Sequence, residues 1–341
     1  MNKKNLFNLL NNVKEEGKET VEGKRVLIID GLNLFFRNFA VLNMVNPQGS
    51  HIGGLGGFFR SLGFLIKTMD PYEVYVVFDG LDSSKSRKNL ISEYKSGRDT
   101  MRVNTFVFDD RDEENDSKID QIVRITHYLK TLPVKTIIID KVEADDVIAF
   151  LSTNLPKKPK DKIFIVSSDQ DFLQLINSNV TVYRPIEKEF YTKESVKDKF
   201  NVYPENFLIY KTLMGDTSDK LKGVKGLGPK KLFKLFPTLT SKKTTLEDIC
   251  SICESNIKDH IIYPKILKTI TELEKSHKVM DLSKPMLSLQ DEDYLNEIIK
   301  NKKLNYDPEQ FLQFYKKDQL GNIINNVDLW IKTTFEKIKN K

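Results

Sequence analysis

Four short apolar runs stand in the N-terminal half of the chain, and acidic residues follow each of them closely. The runs are Val26–Ile29, Val74–Phe78, Ile137–Ile139 and Ile163–Val166. A run that is apolar at every position is typical of a strand buried on both faces of a parallel sheet. Helix-like segments lie between the runs. The pattern therefore predicts an α/β fold whose central, mostly parallel sheet is flanked by helices.

The acids behind these runs are the main chemical feature of the sequence. They are Asp30, Asp79, Glu143, Asp145, Asp146, Asp169 and Asp171. In an open parallel sheet the carboxyl ends of the strands line the ligand crevice. A single Asp after a strand is usually a turn or a helix cap. Four successive strand ends that all deliver acid favour one shared cluster of carboxylates.

A cluster of this kind requires cations, because two carboxylates about 4 Å apart repel each other by roughly 4 kcal/mol at an effective dielectric constant of about 20. Ligand sets made only of oxygen suit Mg²⁺ or Mn²⁺ rather than zinc. Two such ions roughly 4 Å apart activate a water and stabilise the leaving oxygen of a phosphodiester. The acids therefore predict two Mg²⁺, with Mn²⁺ as a substitute, and phosphoryl chemistry.

Residues 85–102 form a basic segment between the second and third strand ends, with six basic and two acidic side chains. Such a segment can hold a single nucleic-acid strand through phosphate contacts and base stacking. Its ordinary alternative is a solvated helix face. The candidate strand-binding residues are Lys85, Arg87, Lys88, Tyr94, Lys95 and Arg98.

A second basic element follows Asp216 and Asp219. Six lysines and no acid lie within residues 220–234, and the order Gly-Leu-Gly-Pro at 226–229 predicts a hairpin whose Pro begins a helix. Amides at a helix start bind phosphate, so this element is a candidate grip on a duplex backbone. Its candidate DNA-binding residues are Gly223, Lys225, Gly226, Gly228, Lys230 and Lys231.

The composition excludes several protein classes. The 341 residues carry a formal net charge of +6 and include only two cysteines, which excludes a disulfide-stapled secreted scaffold. No apolar run approaches the roughly 18 residues of a membrane span, and no signal-peptide core begins the sequence. We therefore expect an intracellular, cytoplasmic protein without a membrane partner. Changes in the residue pattern along the chain predict an N-terminal arm at 1–22, an α/β catalytic domain at 23–200 and a helical domain at 201–341.

Together these motifs resemble the 5′-nuclease superfamily of flap endonucleases, 5′-nuclease domains of bacterial DNA polymerase I and phage 5′-exonucleases. The resemblance covers about residues 24–235 and is strongest with the phage-type enzymes, which include the ribonuclease H of T-even phages. The matching motifs are Ile-Asp-Gly-Leu-Asn at 29–33, Val-Phe-Asp-Gly at 77–80, Tyr-Lys-Ser-Gly-Arg at 94–98, Glu-Ala-Asp-Asp at 143–146, Ser-Ser-Asp-Gln-Asp-Phe at 167–172 and Gly-Asp-Thr-Ser-Asp at 215–219.

The resemblance implies a PIN-like core with a helical arch over about 81–118 and a helix–hairpin–helix element at about 215–235. The implied ligands are Asp30, Asp79, Glu143, Asp145 and Asp146 for a first metal, and Asp169, Asp171, Asp216 and Asp219 for a second. Lys95 would contact the scissile phosphate, and Tyr94 and Arg98 would position the 5′ strand. K⁺ would bind carbonyl groups of the hairpin. Which of Asp145 and Asp146 binds metal directly stays open at this point.

The implied activity is structure-specific 5′-nuclease cleavage of 5′ flaps, nicked or gapped duplexes and RNA–DNA hybrids, in DNA replication and repair. We expect a monomer, with a single-strand-binding protein or a sliding clamp as candidate partner. Two positions depart from the family pattern: Glu93 replaces a proline before the arch Tyr-Lys, and Lys220 replaces an asparagine after Asp219. These two departures affect the expected geometry of the arch and the expected binding of the duplex. Neither of them removes a metal ligand.

Three alternatives remain beside this hypothesis. A PIN-like ribonuclease shares the acidic sheet, although the hairpin element argues against it. A non-cutting binder of branched DNA would need no complete carboxylate set. Cys250 and Cys253 are spaced as two zinc ligands, but the sequence has no second pair, and small buried residues on a helix are the expected role.

Overall fold

A computed structural model of the chain describes residues 23–96 and 103–339. Its centre is a six-stranded sheet of β1 (Arg25–Asp30), β2 (Glu73–Asp79), β3 (Lys135–Ile139), β4 (Lys162–Val166), β5 (Val180–Arg184) and β6 (Glu189–Tyr191). The strand order is β3-β2-β1-β4-β5-β6, in which the first five strands run parallel and β6 pairs antiparallel with β5. The predicted central, mostly parallel sheet is confirmed.

All four apolar runs lie inside strands, and the inner strands are buried on both faces, whereas Ile138 on the edge strand β3 is 45% exposed. In β1, Val26 and Ile28 pack into the core on one face, while Leu27 and Ile29 pack into the core on the other. This explains why the strand has to be apolar at every position. The sequence pattern does not reveal β5, because Thr181 and Arg184 leave no uninterrupted apolar run there.

The first five helices cover the two faces of the sheet. They are α1 (Gly31–Val41), α2 (Gly53–Met69), α3 (Lys85–Leu90), α4 (Arg111–Leu129) and α5 (Ala144–Asn154). Helices α1, α2 and α4 share the core with Leu27, and α5 packs on the opposite face with Val26. The short helix α3 lies within the expected arch, of which residues 97–102 fall outside the described residues.

The remaining described helices divide between the same two faces. They are α6 (Lys193–Phe200), α7 (Phe207–Met214), α8 (Pro229–Leu235), α9 (Leu246–Ser255), α10 (Ile262–Lys268), α11 (Ile270–Met280), α12 (Leu289–Lys300), α13 (Pro308–Lys317) and α14 (Val327–Lys339). Helices α6 to α12 extend the core on the α5 face, whereas α13 and α14 return to the α2 face. The region expected as one helical domain over 201–341 thus packs on both faces of the sheet.

Two details beyond residue 200 differ from the sequence-based expectation. Gly215–Asp216 (β7) and Leu221–Lys222 (β8) pair antiparallel, although no strand was expected there; strands of two residues carry no apolar run. The expected helical region contains a break at Thr269, between α10 and α11. The apolar periodicity of Tyr263–Leu273 continues across this break, so the sequence pattern does not reveal it. None of the described helices has the length and apolar character needed to cross a membrane.

Candidate active site

Asp30 and Asp79 lie at the ends of two neighbouring strands and fix the helix starts beside them. Asp30 ends β1, where it accepts hydrogen bonds from the Asn33 backbone N–H at 3.0 Å and the Ser167 hydroxyl at 2.9 Å. Asp79 ends β2 and accepts from the backbone N–H of Ala144, the first residue of α5, at 2.7 Å. Because β1 and β2 are adjacent, both carboxylates lie at the same edge of the sheet.

The acids at this edge lie in a shared electrostatic field. Burial raises the pKa of Asp30 to about 7, despite its two hydrogen bonds. Burial also raises the pKa of Asp79. Burial raises the pKa of Asp145 well above its ordinary value; nearby Lys95 opposes this shift, while the like charges of Asp169 and Asp30 add to it. Buried carboxylates that oppose one another's ionisation favour a bound cation.

The two carboxylate oxygens of Glu143 differ, because one accepts hydrogen bonds from the arch and the other has no such partner in the described part of the chain. Its Oε2 accepts from Lys95 Nζ at 2.9 Å and from the Tyr94 hydroxyl at 3.2 Å, and Arg87 Nη1 lies 3.2 Å away. The other oxygen, Oε1, is buried and has no hydrogen-bond partner among the described residues. A buried carboxylate oxygen without a partner is costly, so Oε1 is suited to a further cation.

The structure separates the roles of the adjacent Asp145 and Asp146. Arg87 donates from Nη1 and Nη2 to the two oxygens of Asp146, at 2.6 and 3.0 Å. Asp146 also accepts from the Met286 backbone N–H at 2.9 Å, and Arg87 Nε donates to the Val279 carbonyl at 2.9 Å. The oxygens of Asp146 are therefore used within the fold. Asp145 is the member of the pair that shares a field with the other acids.

Two residues expected to contact the single strand are buried inside the protein. Arg87 and Tyr94 are each only 3% exposed, and both bond to acids at the start of α5 instead. Their expected role as DNA-binding residues stays a prediction, and in this structure neither side chain is exposed as a strand contact requires. Lys85 and Lys88 are exposed on α3, as strand contacts require. Arg98 lies outside the described residues.

A second group of acids forms beside the first. One carboxylate oxygen from each of Asp171, Asp216 and Asp219 lies within 4.8 Å of the others. Asp169 is joined to this group because its Oδ1 accepts from the Asp171 backbone N–H at 2.8 Å. The geometry thus brings the four acids expected at a second metal into one region, although their sequence positions are separated by helices α6 and α7.

Lys211 lies within this second group and was missed by the sequence analysis. Its Nζ donates to Asp171 Oδ1 and, at 2.6 Å, to Asp216 Oδ2. Burial opposes the charged forms and raises the pKa of Asp171 to about 7, although nearby Lys211 opposes this shift. The carboxylates raise the pKa of Lys211, and Lys211 lowers the pKa of Asp216 to about 2. A single lysine in the apolar helix α7 gives no sequence signal of this role.

The predicted hairpin and helix form the second basic element. Gly226 has φ of 88°, a left-handed conformation that favours glycine, and α8 begins at Pro229 as predicted. Lys231 Nζ donates to the Gly226 carbonyl at 2.8 Å, and Lys225 and Lys230 are exposed. The six candidate DNA-binding residues lie between the end of β8 and the first turn of α8: Gly223, Lys225, Gly226, Gly228, Lys230 and Lys231.

The structure gives no support to zinc binding by the cysteines. Cys250 and Cys253 lie on α9, and burial raises the pKa of Cys253 to about 12, so its thiol stays protonated. Within the described ranges, the metal-ligating side chains that lie close enough to share one ion are Asp171, Asp216 and Asp219, and neither cysteine is among them.

Comparison with known proteins finds 5′-nucleases, the class that the sequence motifs resemble. Residues 25–201 match the sequence model of the family described as 5′-3′ exonuclease, N-terminal resolvase-like domain. The chain is 31% identical over 276 residues to a 5′-3′ exonuclease of Aquifex aeolicus, covering 79% of this chain and 86% of that protein. It is 31% identical over 274 residues to the flap endonuclease Xni of Shewanella woodyi, covering 79% and 94% respectively.

The fold is shared with a phage protein of known structure. The D15 protein of phage T5, crystallised with metal ions, superposes with a TM-score of 0.66 at 20% identity, over 85% of this chain and 99% of that chain. The same T5 flap endonuclease has also been solved in a complex with DNA and metal ions, with a TM-score of 0.64 at 20% identity over 86% of this chain and 100% of that chain.

The chain belongs to the 5′–3′ exonuclease family. Members of this family are structure-specific 5′-nucleases, and the predicted membership of the 5′-nuclease superfamily is confirmed. The expected class of enzyme, a metal-dependent nuclease, is confirmed with it.

Proposed function

We propose that the chain hydrolyses phosphodiesters at 5′ flaps, at nicks and gaps in duplex DNA and in RNA–DNA hybrids, during DNA replication and repair. The observation that carries this proposal is the meeting of two acid groups at the carboxyl edge of one parallel sheet, beside the ammonium of Lys95. Relatives named as exonuclease and flap endonuclease support the polarity and the branched substrate.

The residues at this edge fit divalent cations. Each acid offers a hard oxygen ligand, and the unpartnered Oε1 of Glu143 is buried there. When bound, two Mg²⁺ or Mn²⁺ would supply an activated water and stabilise charge on the leaving oxygen. The ligands we assign are Asp30, Asp79, Glu143 and Asp145 for the first ion, and Asp169, Asp171, Asp216 and Asp219 for the second. Asp146 supports the first group through Arg87 without touching the ion.

Lys95 is the residue we assign to the scissile phosphate. Its φ of 53° turns the backbone into the left-handed region, and its N–H donates to the Asp219 carbonyl at 3.2 Å while its Nζ reaches Glu143. The side chain thereby stands between the two acid groups. A positive charge held there stabilises the charge that develops on a phosphoryl oxygen. Lys85, Lys88 and Arg98 would hold the 5′ strand through its phosphates.

The hairpin element would grip the duplex beside the cleavage site. Exposed lysines at Lys225 and Lys230 and the amides at the start of α8 suit a phosphate backbone. K⁺ on carbonyl groups of the hairpin, near Gly226, would strengthen that contact. Lys231 already bonds the Gly226 carbonyl, so its contribution combines charge with support of the hairpin.

The wider organisation completes the proposal. Residues 23–200 would form the catalytic domain with an arch at about 81–118, and 201–341 the helical domain with the helix–hairpin–helix element at about 215–235. The N-terminal arm expected at 1–22 lies outside the described residues. We propose an intracellular monomer that meets a single-strand-binding protein or a sliding clamp, because branched DNA intermediates occur where those proteins act.

One time course tests the proposal: matched flap, nick and RNA–DNA substrates, with Mg²⁺ and with chelator. Cleavage should require the metal. The double substitution Asp169→Asn with Asp171→Asn should abolish cleavage and retain DNA binding, whereas Asp198→Asn, an exposed acid on α6, should change neither. Full activity in chelator would contradict the mechanism. A strong preference for single-stranded RNA would favour the PIN-like ribonuclease, and branch-specific binding without turnover in Mg²⁺ or Mn²⁺ would favour the non-cutting binder.

A further inference from the structure

We propose that Lys211 is a built-in cation of the second acid group, and that its ammonium must leave the carboxylates before a second divalent ion binds there. The inference rests on the proposed two-metal function and concerns the order in which the two ions are taken up.

The position of Lys211 is fixed by the fold rather than by chance contact. It projects from α7, and its side chain is only 9% exposed. Its Nζ bonds Asp171 and Asp216, which are two of the three residues whose oxygens lie within 4.8 Å of one another. The ammonium therefore occupies two of the carboxylates that a metal ion would need.

The first acid group is arranged differently. Two cations from the described part of the chain reach it. Arg87 is matched by the two oxygens of Asp146, and Lys95 Nζ donates to Oε2 of Glu143 at 2.9 Å. Glu143 keeps Oε1 buried without a partner among the described residues. Both groups thus hold a lysine ammonium. The first group still keeps a buried oxygen without a partner in the described ranges, whereas in the second group the ammonium bonds two of the three clustered acids.

Two consequences follow from this difference. The first ion should bind tightly and the second weakly, because the second must displace hydrogen bonds and approach a positive charge. Removing the ammonium should therefore tighten the second binding event and leave the first nearly unchanged. A lysine that served only to contact a substrate phosphate would have no such effect on DNA-free protein.

Calorimetric titration of Mn²⁺ into chelator-stripped, DNA-free full-length chain tests the inference. Lys211→Met should tighten the second event about tenfold or more and change the first by less than about twofold. Lys222→Met, an exposed lysine opposite Gly215 in the β7–β8 pair, is the matched control and should behave as the wild type. Lys211→Gln, which keeps a hydrogen-bond donor without the charge, should also tighten the second event and serves if the Met variant does not fold.

Two results would overturn the inference. One is an unchanged or weakened second event in both Lys211 variants. The other is a loss of flap-DNA affinity with unchanged Mn²⁺ binding, which would assign Lys211 to a substrate phosphate. Failure of the proposed function looks different, since the wild type would then bind no divalent ion and cleave no flap.

Discussion

Arg87 grips Asp146 with both terminal nitrogens, at 2.6 and 3.0 Å, in a position closed to solvent. The residue before it, Asp145, instead shares the field of Asp30 and Asp169. Two adjacent acids on one helical turn therefore have different roles. Asp146 fixes the base of the arch to α5 through Arg87, and Asp145 belongs to the acid cluster.

Substitution of these neighbours should separate stability from activity. Asp146→Asn should lower the free energy of unfolding by about 3–5 kcal/mol, because it removes the carboxylate that pairs with both terminal nitrogens of the buried Arg87. Asp145→Asn should abolish flap cleavage without loss of stability, because it removes a buried like charge. Urea unfolding and a cleavage assay on each variant measure both effects. Equal destabilisation by the two substitutions would contradict the assignment.

The stability of chelator-treated protein should depend on pH through Asp30. Its pKa is about 7 in the folded state, raised by burial, so the folded protein retains a proton that the unfolded chain releases near pH 4. Stability should therefore fall as pH rises from about 4 to about 7, as measured by urea midpoints. Asp30→Asn should reduce the slope in that window without abolishing it, because burial also raises the pKa of Asp171 to about 7. Mg²⁺ should restore stability above the window. If the urea midpoint instead rises between pH 4 and pH 7, and does so equally in the wild type and in Asp30→Asn, Asp30 is excluded as the source of the pH dependence.

Lys95→Ala should slow the chemical step far more than it weakens substrate binding. Loss of one preorganised positive group at the phosphate lowers kcat about 100-fold or more. Single-turnover cleavage and DNA affinity on the same flap substrate separate the two effects. Lys88→Ala, an exposed lysine on α3, is the control and should alter affinity alone. A Lys95→Ala variant that lost only affinity would reject the role.

Lys230 and Lys231 should differ although they are adjacent. Each contributes charge, so each alanine variant should reduce the slope of log K against log salt by about 1. Lys231 also bonds the Gly226 carbonyl, so Lys231→Ala alone should speed amide hydrogen exchange in the hairpin. Binding curves at several salt concentrations and hydrogen exchange check the pair. Identical exchange in both variants would show that the bond does not support the hairpin.

Gly63→Ala should destabilise the fold by about 1–3 kcal/mol, the usual effect of overpacking. A Cβ at this position would lie 2.4 Å from Nε1 of Trp330, so α14 must shift from α2. Trp330 is the single tryptophan of the chain, and its fluorescence reports urea unfolding directly. Gly228→Ala, where a Cβ meets open space, is the control for stability. Unchanged stability of Gly63→Ala would show that the α2–α14 contact yields easily.

The sequence predicts the sheet and its acids well, because apolar runs and the acids behind them are local features. Asp30 directly follows the apolar run of β1, so the sequence alone predicts that Asp30 lies at the end of that strand. Arg87 and Lys211 could not be assigned this way. Their partners Asp146 and Asp171 lie 59 and 40 residues away. Nothing in the sequence distinguishes Arg87 from the exposed Lys85 and Lys88 of the same helix, or marks Lys211 as buried. Their roles depend on which elements the fold brings together.

The return of α13 and α14 to the α2 face also bears on how the protein is made. A ribosome that has completed the sheet has not yet made the helix that covers Gly63, and the apolar side of α2 stays open until residues 327–338 emerge. Nascent chains with such surfaces are held by chaperones or aggregate. A message cut between codons 301 and 326 would encode all the proposed metal ligands together with an uncovered core. Quality control would then remove the fragment before an unregulated nuclease could reach DNA.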